Sequence, residues 1–290
     1  MNILITGANG FIGRNLSSRL AAQGHQVFGL SLQGPSNLSS GFKDYYQRDI
    51  SKPFTLNGHF DLVIHLAAYN ITNVGANDVD LYTAINVDGT KHLLQAVHAR
   101  KWIYLSTAKV YKNEGSPLFE DSSLAPLSAY EQSKLKAEEV CRGFLKNESL
   151  IILRSVNVIG WGQAAKAVVP VFFQKAKANQ PLNIINAPYT PMQFVYVEDL
   201  IDAIEALISH ETISGIFNIA HEETVNLEQL ARTIITMMHS SSVLNVSQNA
   251  SEVLFSKVIC NKAYQQFGWK AKTGLSEILR QYEKNYASGS

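Results

Sequence analysis

Short apolar runs and amphipathic segments alternate along the first half of the chain. The apolar runs predict strands at residues 3–5, 25–31, 45–48, 60–68, 102–107 and 150–157. Helical periodicity separates several of them, at residues 11–23, 86–100 and 128–140. Continuous apolar runs are typical of strands that are covered on both faces. The order therefore predicts an α/β fold, a doubly wound parallel sheet with right-handed crossovers.

The regular alternation of predicted strands and helices ends after residue 157. Helices are predicted at residues 168–178, 199–209, 227–238 and 275–286, and strands at residues 193–197 and 215–219. We expect a dinucleotide-binding domain over residues 1–155 and a smaller C-terminal α/β substrate-binding domain over residues 156–290. Residues 193–219 are expected to return to the first domain.

The first strand leads into a glycine-rich turn. Gly7, Gly10 and Gly13 follow at three-residue spacing, and a helix begins near Phe11 and Ile12. The start of a helix offers free N–H groups and the positive end of the helix dipole, which suit a pyrophosphate. The glycines would permit the turn and the close approach of the phosphate. The alternative is an ordinary strand–turn–helix corner in which glycine serves packing only.

Composition limits the class of protein. Hydrophobic residues make up 46% of the 290 residues and charged residues 17%, which is typical of a globular protein with a real core. The formal net charge of +1 predicts no nucleic-acid or membrane partner. Cys141 and Cys260 are the two cysteines, and we interpret them as structural thiols rather than a disulfide or a metal site. A signal peptide is not predicted, so a cytoplasmic location is expected.

Polar residues at the end of one strand and on one helix form a candidate catalytic set. Ser106 and Thr107 end a predicted strand, and Tyr130 stands four residues before Lys134, on the same helix face. A free tyrosine has a pKa of about 10 and is a poor base at neutral pH. A nearby ammonium and a positively charged nicotinamide would lower that pKa, so that Tyr130 exchanges a proton with a substrate hydroxyl. The alternative for the Tyr-x-x-x-Lys pair is a solvated helix face.

Several motifs together resemble the extended short-chain dehydrogenase/reductase family, in its NAD-dependent epimerase/dehydratase group. The matching stretches in this sequence are residues 6–13 (TGANGFIG), 65–68 (HLAA), 86–90 (NVDGT), 105–111 (LSTAKVY), 130–134 (YEQSK), 154–160 (RSVNVIG), 194–200 (FVYVEDL) and 267–269 (FGW). They follow the family's order over nearly the whole chain. The resemblance implies a Rossmann fold that binds NAD or NADP.

The resemblance also implies roles for individual residues. Thr107, Tyr130 and Lys134 would be the catalytic set, and Lys134 would also hold the nicotinamide ribose. Asn157 would lie near the sugar or the diphosphate. Many relatives form a homodimer through the helices that begin near residues 86 and 128. The residues expected to line the cofactor are Gly7, Asn9, Gly10, Phe11, Ile12, Gly13, Ser31, Asp49, Ile50, Leu66, Ala67 and Ala68. Asp49 would accept from the adenine amino group or cap the next turn.

The chain departs from the family at four residues. Ala108 and Lys109 replace the acidic pair of the dehydratases, which disfavours elimination of water. Met192 replaces an arginine that meets the nucleotide diphosphate in many members. Ser31 replaces the acid that binds the adenosine ribose, so NADP is expected at least as readily as NAD. Arg14 would reach the extra phosphate of NADP, or lie on the helix surface.

These observations predict an NAD(P)-dependent nucleotide-sugar epimerase or 4-ketoreductase, in which Tyr130 is the general acid and base. The small-molecule substrate would be a nucleotide sugar. One alternative is a reductase or dehydrogenase of a non-nucleotide carbonyl compound, motivated by Met192. Another is a non-catalytic NAD(P)-binding sensor, which would keep the glycine turn.

Overall fold

A seven-stranded parallel sheet is the centre of the fold in the computed structural model, which describes residues 1–35, 41–71, 79–146, 149–184, 189–247 and 254–288. Its strands are β1 (Asn2–Thr6), β2 (Gln26–Ser31), β3 (Phe42–Gln47), β4 (Phe60–His65), β5 (Ala99–Thr107), β6 (Ser149–Ser155) and β10 (Gly215–Ile219). Their order across the sheet is β10-β6-β5-β4-β1-β2-β3. The doubly wound parallel sheet is confirmed.

Shorter strands and the helices complete the chain. The shorter strands are β7 (Asn157–Ile159), β8 (Leu182–Ile184), β9 (Met192–Tyr196), β11 (Thr224–Val225) and β12 (Leu244–Val246). The α-helices are α1 (Phe11–Ala22), α2 (Val79–Leu81), α3 (Gly89–Ala96), α4 (Ala129–Phe144), α5 (Val168–Lys177), α6 (Val197–Ser209), α7 (Leu227–Met237), α8 (Asn261–Phe267) and α9 (Leu275–Ser288). A π-helical turn, Tyr82–Asp88, joins α2 to α3, and a 3-10 turn, Ala108–Val110, follows β5.

The sheet reverses its strand order between β1 and β4. Chain order runs from β1 outward to β3 on one side and from β4 outward to β6 on the other. In open α/β sheets a ligand binds outside the carboxyl ends of the strands, at this point of reversal. The loops that follow Thr6, His65 and Thr107 meet there, so the topology points to this edge as the functional one.

Apolar side chains from both faces of the sheet form the core. Ile3, Ile5 and Ile64 on one face pack with Leu200 and Ile204 of α6, and all five are fully buried. The other face packs under α3 and α4. A further cluster joins α5, α7 and α9 beyond the sheet. In the described part of the chain, the helices are too short or too polar to cross a bilayer.

The second half of the chain contributes to the sheet and also leaves it. Strand β10 pairs in parallel with β6, which makes residues 215–219 the edge strand of the central sheet. Strand β9 instead pairs with β7 and β11 in a separate three-stranded sheet. The division into domains at residue 155 stays a prediction.

Candidate active site

The glycine turn after β1 has the geometry of a phosphate cradle. Gly7 has a φ of +65°, and a Cβ there would lie 2.9 Å from the backbone nitrogen of Ala67. At Gly13 a Cβ would lie 2.3 Å from the carbonyl oxygen of Gly7. Helix α1 begins at Phe11 after Gly10, which provides no side-chain cap, so the first N–H groups of the helix remain free for an anion. These residues fit the pyrophosphate of a dinucleotide.

The neighbouring strand ends complete this edge. The Ser31 hydroxyl, at the end of β2, accepts a hydrogen bond from the Asn9 N–H at 3.1 Å, which places it against the glycine turn. Asp49 uses Oδ1 to accept from the N–H and the hydroxyl of Ser51, so this oxygen caps the next turn. Ile50 is buried in the core under α3. Leu66, Ala67 and Ala68 follow β4 and are partly exposed beside the turn.

Arg14 makes two hydrogen bonds at this edge, and its contact with a phosphate of NADP stays a prediction. Its guanidinium donates to the carbonyl oxygens of Asn9 at 3.2 Å and Gly162 at 3.1 Å. It therefore connects the glycine turn to the loop that follows β7.

His65 connects the same edge to the helices through a chain of hydrogen bonds. Thr6 Oγ1 accepts from the Ala67 N–H and lies 2.6 Å from His65 Nδ1. On the other side, His65 Nε2 lies 2.9 Å from Thr90 Oγ1. The Thr90 hydroxyl donates its hydrogen bond to the Asn86 carbonyl. The Thr90 hydroxyl must then accept from Nε2, so His65 carries its proton there and receives one from Thr6 at Nδ1. Burial lowers the pKa of His65 to about 3, and the charge of Lys134 adds to this, so the ring is neutral.

The predicted catalytic residues meet at the end of β5. Tyr130, in the first turn of α4, is close enough to Thr107 for that side chain to lower the pKa of the phenol. Lys134, one turn later, is buried and donates from Nζ to the Leu105 carbonyl at 2.6 Å. The ammonium also lies 4.3 Å from the centre of the Tyr104 ring. A capping box formed by Ser128 and Glu131 fixes the start of α4, and with it the position of Tyr130.

Burial is the main influence on the pKa of Tyr130 in this structure, and the lowering by an ammonium together with a bound nicotinamide stays a prediction. Burial raises the pKa of Tyr130 to about 12, with smaller contributions from Glu131 and Tyr82, while the Thr107 side chain acts in the opposite direction. No cation is among the causes of this shift. Lys134 is itself affected by burial, which lowers its pKa to about 8. The phenol is therefore protonated at neutral pH in this state.

The sequence interpretation missed several polar groups behind this set. Glu138 lies one turn beyond Lys134 and is fully buried, where its carboxylate receives two hydrogen bonds from Arg154. Its four-residue spacing from Lys134 was a visible signal. Asn86, in the π-helical turn, bonds both the N–H and the carbonyl of Tyr69. A π-turn is frequent at functional sites, but sequence periodicity does not reveal it.

Two other positions bear on the substrate side. Asn157 is exposed in β7, and Met192 is partly exposed in β9. A cavity of about 530 Å³ lies elsewhere, among Gln23, His25 and residues of α6 and 267–272. It is at the amino ends of the strands, since His25 directly precedes β2. It is therefore separate from the edge that carries Tyr130.

Comparison with known proteins finds relatives that match most of the chain. The chain is 24% identical to the dTDP-4-dehydro-6-deoxyglucose reductase of Escherichia coli, over 95% of this chain and 94% of that protein. It is 28% identical to a dTDP-D-glucose 4,6-dehydratase of Dictyostelium discoideum over 81% of its length, and spans 62% of that relative.

A solved structure shares the whole fold. The UDP-glucuronic acid 4-epimerase of Bacillus cereus, in complex with UDP-glucuronic acid and NAD, superposes with a TM-score of 0.86 at 26% identity, over 100% of both chains. The profile of the NAD dependent epimerase/dehydratase family matches residues 3–220. The chain therefore belongs to this family of NAD-dependent, oxidoreductase-type enzymes.

Proposed function

We propose that the protein is an NAD(P)-dependent epimerase or 4-ketoreductase of a nucleotide-activated hexose. The observation that carries this proposal is the buried Lys134, which donates to the Leu105 carbonyl, one helical turn after Tyr130, whose pKa responds to the Thr107 side chain at the carboxyl edge of the sheet. Relatives act on nucleotide sugars, and the chain covers most of the reductase from Escherichia coli. The bound cofactor would supply a hydride acceptor or donor for one sugar carbon.

Tyr130 would carry the proton in this reaction. As a neutral phenol it can donate to the oxygen of a ketone sugar while the carbon is reduced. Thr107 would bond the same oxygen and hold it in reach of the phenol. In the oxidative direction Tyr130 must first lose its proton, which requires a positive charge near the ring to lower its pKa from about 12. Lys134 would hold the ribose hydroxyls of the cofactor.

The residues after Thr107 separate this reaction from dehydration. Elimination of water needs an acid and a base beside the sugar. Ala108 is buried and apolar, and Lys109 is exposed and donates its backbone N–H to Thr107 Oγ1 at 3.2 Å. Neither side chain is a carboxylate. We therefore favour hydride transfer without elimination, although some relatives are dehydratases.

The test is product analysis by NMR after incubation with three candidate substrates. UDP-glucose and UDP-glucuronic acid, each with NAD, test epimerisation at C4. The compound dTDP-4-dehydro-6-deoxyglucose with NADPH or NADH tests ketone reduction. We expect turnover of at least one, and we expect Tyr130→Phe to abolish it while binding of the cofactor is retained. Full activity of Tyr130→Phe would refute the proposed mechanism.

Met192 favours a second candidate, a reductase or dehydrogenase of a non-nucleotide carbonyl compound. A diphosphate normally pairs with a charged donor, and the thioether at this position offers none. Thermal melting with UDP, GDP and dTDP distinguishes the two. A rise in melting temperature with any of them supports a nucleotide substrate, and no rise with all three supports the second candidate.

A further inference from the structure

Three residues of α4 contact three consecutive residues of β5. Tyr130 lies close enough to Thr107 for that side chain to lower the pKa of the phenol. Lys134 donates to the Leu105 carbonyl at 2.6 Å. Glu138 accepts from the Ser106 hydroxyl at 2.5 Å. The helix residues are spaced by four, so they lie along one face of α4 and follow the end of the strand. The first two contacts involve residues already placed in the site, and the third has no assigned role.

The carboxylate of Glu138 is held from several sides. Its exposed fraction is 0%, and Oε1 accepts from Arg154 Nε at 3.1 Å as well as from Ser106. Oε2 accepts from Arg154 Nη2 at 2.7 Å and from Arg142 Nη2 at 2.8 Å. Arg154 lies on β6 directly opposite Ser106 of β5. A charged carboxylate with this many donors is rigid, because each oxygen is fixed by two hydrogen bonds.

Lys134 needs a counter-charge in this environment. Its side chain is 3% exposed, and its ammonium donates a hydrogen bond to an uncharged carbonyl, that of Leu105. The titratable groups that face it or adjoin it are Tyr130, Glu138 and Cys141 on α4, Tyr104 on β5 and His65 on β4. The thiol and the two phenols are neutral at pH 7, because burial raises each pKa. His65 is neutral as well, so Glu138 is the anion of this set.

We propose that Glu138 is a positioning residue for the candidate catalytic set. Its buried carboxylate holds the end of β5 against α4 through Ser106, and it is the counter-charge of the Lys134 ammonium. The proposal rests on the proposed function in giving Lys134 and Thr107 their catalytic roles. The arrangement explains how a fully buried lysine stays charged near neutral pH: burial lowers its pKa to about 8, and the carboxylate opposes a further fall.

The first test measures the titration of Lys134 in the full-length protein, as purified and again with saturating NAD. Lysine labelled with 13C at Cε is followed by NMR, and the Lys134 signal is assigned from its absence in Lys134→Met. Exposed lysines titrate near pH 10.4, about two units above the expected midpoint for Lys134. In Glu138→Gln we expect the Lys134 midpoint to fall by about one unit, since a nearby opposite charge is removed.

Glu139→Gln is the matched control, because it removes a carboxylate from the adjacent, exposed position of the same helix. Its Lys134 midpoint should equal that of the wild type. Glu138→Asp keeps the charge but shortens the side chain, and should keep the midpoint within about 0.3 unit. Equal Lys134 midpoints in wild type and Glu138→Gln would overturn the counter-charge role.

The second test measures the position of the strand end by hydrogen exchange. Residues 104–107 should exchange at least about tenfold faster in both Glu138→Gln and Glu138→Asp, because neither side chain can hold Ser106 as in the wild type. Residues 101–103 of the same strand serve as the internal reference. Unchanged exchange at residues 104–107 in both variants would overturn the positioning role.

A substitution at Glu138 leaves Arg154 with a neutral partner and can prevent folding. In that case Glu138→Gln is combined with Arg154→Gln, so that no unpaired charge is buried. The Lys134 midpoint should still fall, because the carboxylate of Glu138 is removed. The fall should be smaller than in the single variant, because the positive charge of Arg154 is removed as well. An unchanged midpoint again refutes the counter-charge. Neither readout uses a sugar substrate, so these results are independent of the proposed reaction.

Discussion

Ser31 stands at the end of β2, where dinucleotide-binding folds of this topology commonly carry an acid that bonds the adenosine ribose. Its hydroxyl accepts from the Asn9 N–H, so the side chain faces the glycine turn and is 9% exposed. A carboxylate at this place would repel the 2′-phosphate of NADP, and a hydroxyl does not. The family is NAD-dependent. Because Ser31 does not repel the 2′-phosphate, binding of NADP by this member is also expected.

We predict that the wild type binds NADP at least as tightly as NAD, and that Ser31→Asp reverses this preference. The added charge should weaken NADP binding by at least about tenfold, or ~1.4 kcal/mol. Titration calorimetry with both cofactors measures the change. Ser31→Asn is the control, since it has nearly the same shape without the charge. A markedly tighter binding of NAD by the wild type would contradict the prediction.

At the level of the strand–turn–helix element, Gly13 is the position with the least space. A Cβ there would lie 2.3 Å from the Gly7 oxygen and 2.8 Å from the Ala8 Cα, and both are backbone atoms that cannot turn aside. We predict that Gly13→Ala opens the turn and weakens NAD binding by at least about tenfold, or ~1.4 kcal/mol, in a fluorescence titration with NADH.

Gly143 offers a control for this substitution. It lies in α4, and a Cβ there meets nothing within 4 Å. Gly143→Ala should leave cofactor binding unchanged and stabilise the protein by about 0.5–1 kcal/mol, because alanine loses less backbone entropy in a helix. If Gly13→Ala binds NADH as well as Gly143→Ala does, the cradle is not formed by this turn.

His65 connects β1, β4 and α3, and this makes the folded protein sensitive to acid. Its pKa is about 3 in the folded chain and about 6.5 in an unfolded one. Between these values the unfolded chain binds the proton more tightly, so the free energy of unfolding falls as the pH drops below about 6.5. The slope from this one group approaches ~1.4 kcal/mol per pH unit.

We predict that His65→Asn costs about 1–3 kcal/mol at pH 7, because buried partners lose their hydrogen bonds. The difference in the free energy of unfolding between variant and wild type should narrow as the pH falls from 6.5 to 5. Only the wild type is destabilised over this range by protonation of His65 in the unfolded chain. Urea unfolding at several pH values measures this. A constant difference across the range would mean that His65 is not a buried neutral group.

The central elements were predictable from sequence because their apolar runs are continuous. All seven strands of the main sheet coincide with predicted ones, with ends that differ by a few residues. The segment before β5 was predicted wrongly: a helix was expected over residues 86–100, but helical structure begins at Val79 and ends at Ala96. The prediction extended the helix too far because apolar Val97 continues the helical periodicity. The polar pair Arg100–Lys101 also interrupts the apolar pattern by which the start of the strand would be recognised. Strands β8, β11 and β12 have three residues or fewer and no measurable period.

The candidate site was predictable only in its local part. Tyr130 and Lys134 share one helix, so their spacing reveals them. The pKa of Tyr130 in this structure is raised mainly by burial, which sequence spacing does not report. Glu138 acquires its surroundings from Arg154, on a different strand, and from Ser106. Such partners become visible only when the strand order is known.

Across the whole molecule, the loop at residues 160–163 connects the glycine turn to the last helix. Arg14 of α1 donates to the Gly162 carbonyl at 3.1 Å. Tyr282 of α9 donates its hydroxyl to the Gly160 carbonyl, and its ring stacks on Phe173. The loop is therefore held from the cofactor side and from the C-terminal side at once. A displacement of α9 would therefore move this loop and, through Arg14, affect the position of the glycine turn.

We predict that Arg14→Met and Tyr282→Phe are not additive in the free energy of unfolding. Each removes one attachment of the loop, and once the loop relaxes the remaining attachment contributes less. The double variant should therefore lose less than the sum of the single losses, by at least about 0.5 kcal/mol. Urea unfolding of the wild type, both single variants and the double variant measures this.

Arg232→Met is the control, since it breaks a surface pair with Glu228 on α7. Its loss in the free energy of unfolding should be additive with that of Tyr282→Phe within about 0.3–0.5 kcal/mol. If the losses of Arg14→Met and Tyr282→Phe are also additive, the two attachments of this loop are not energetically coupled.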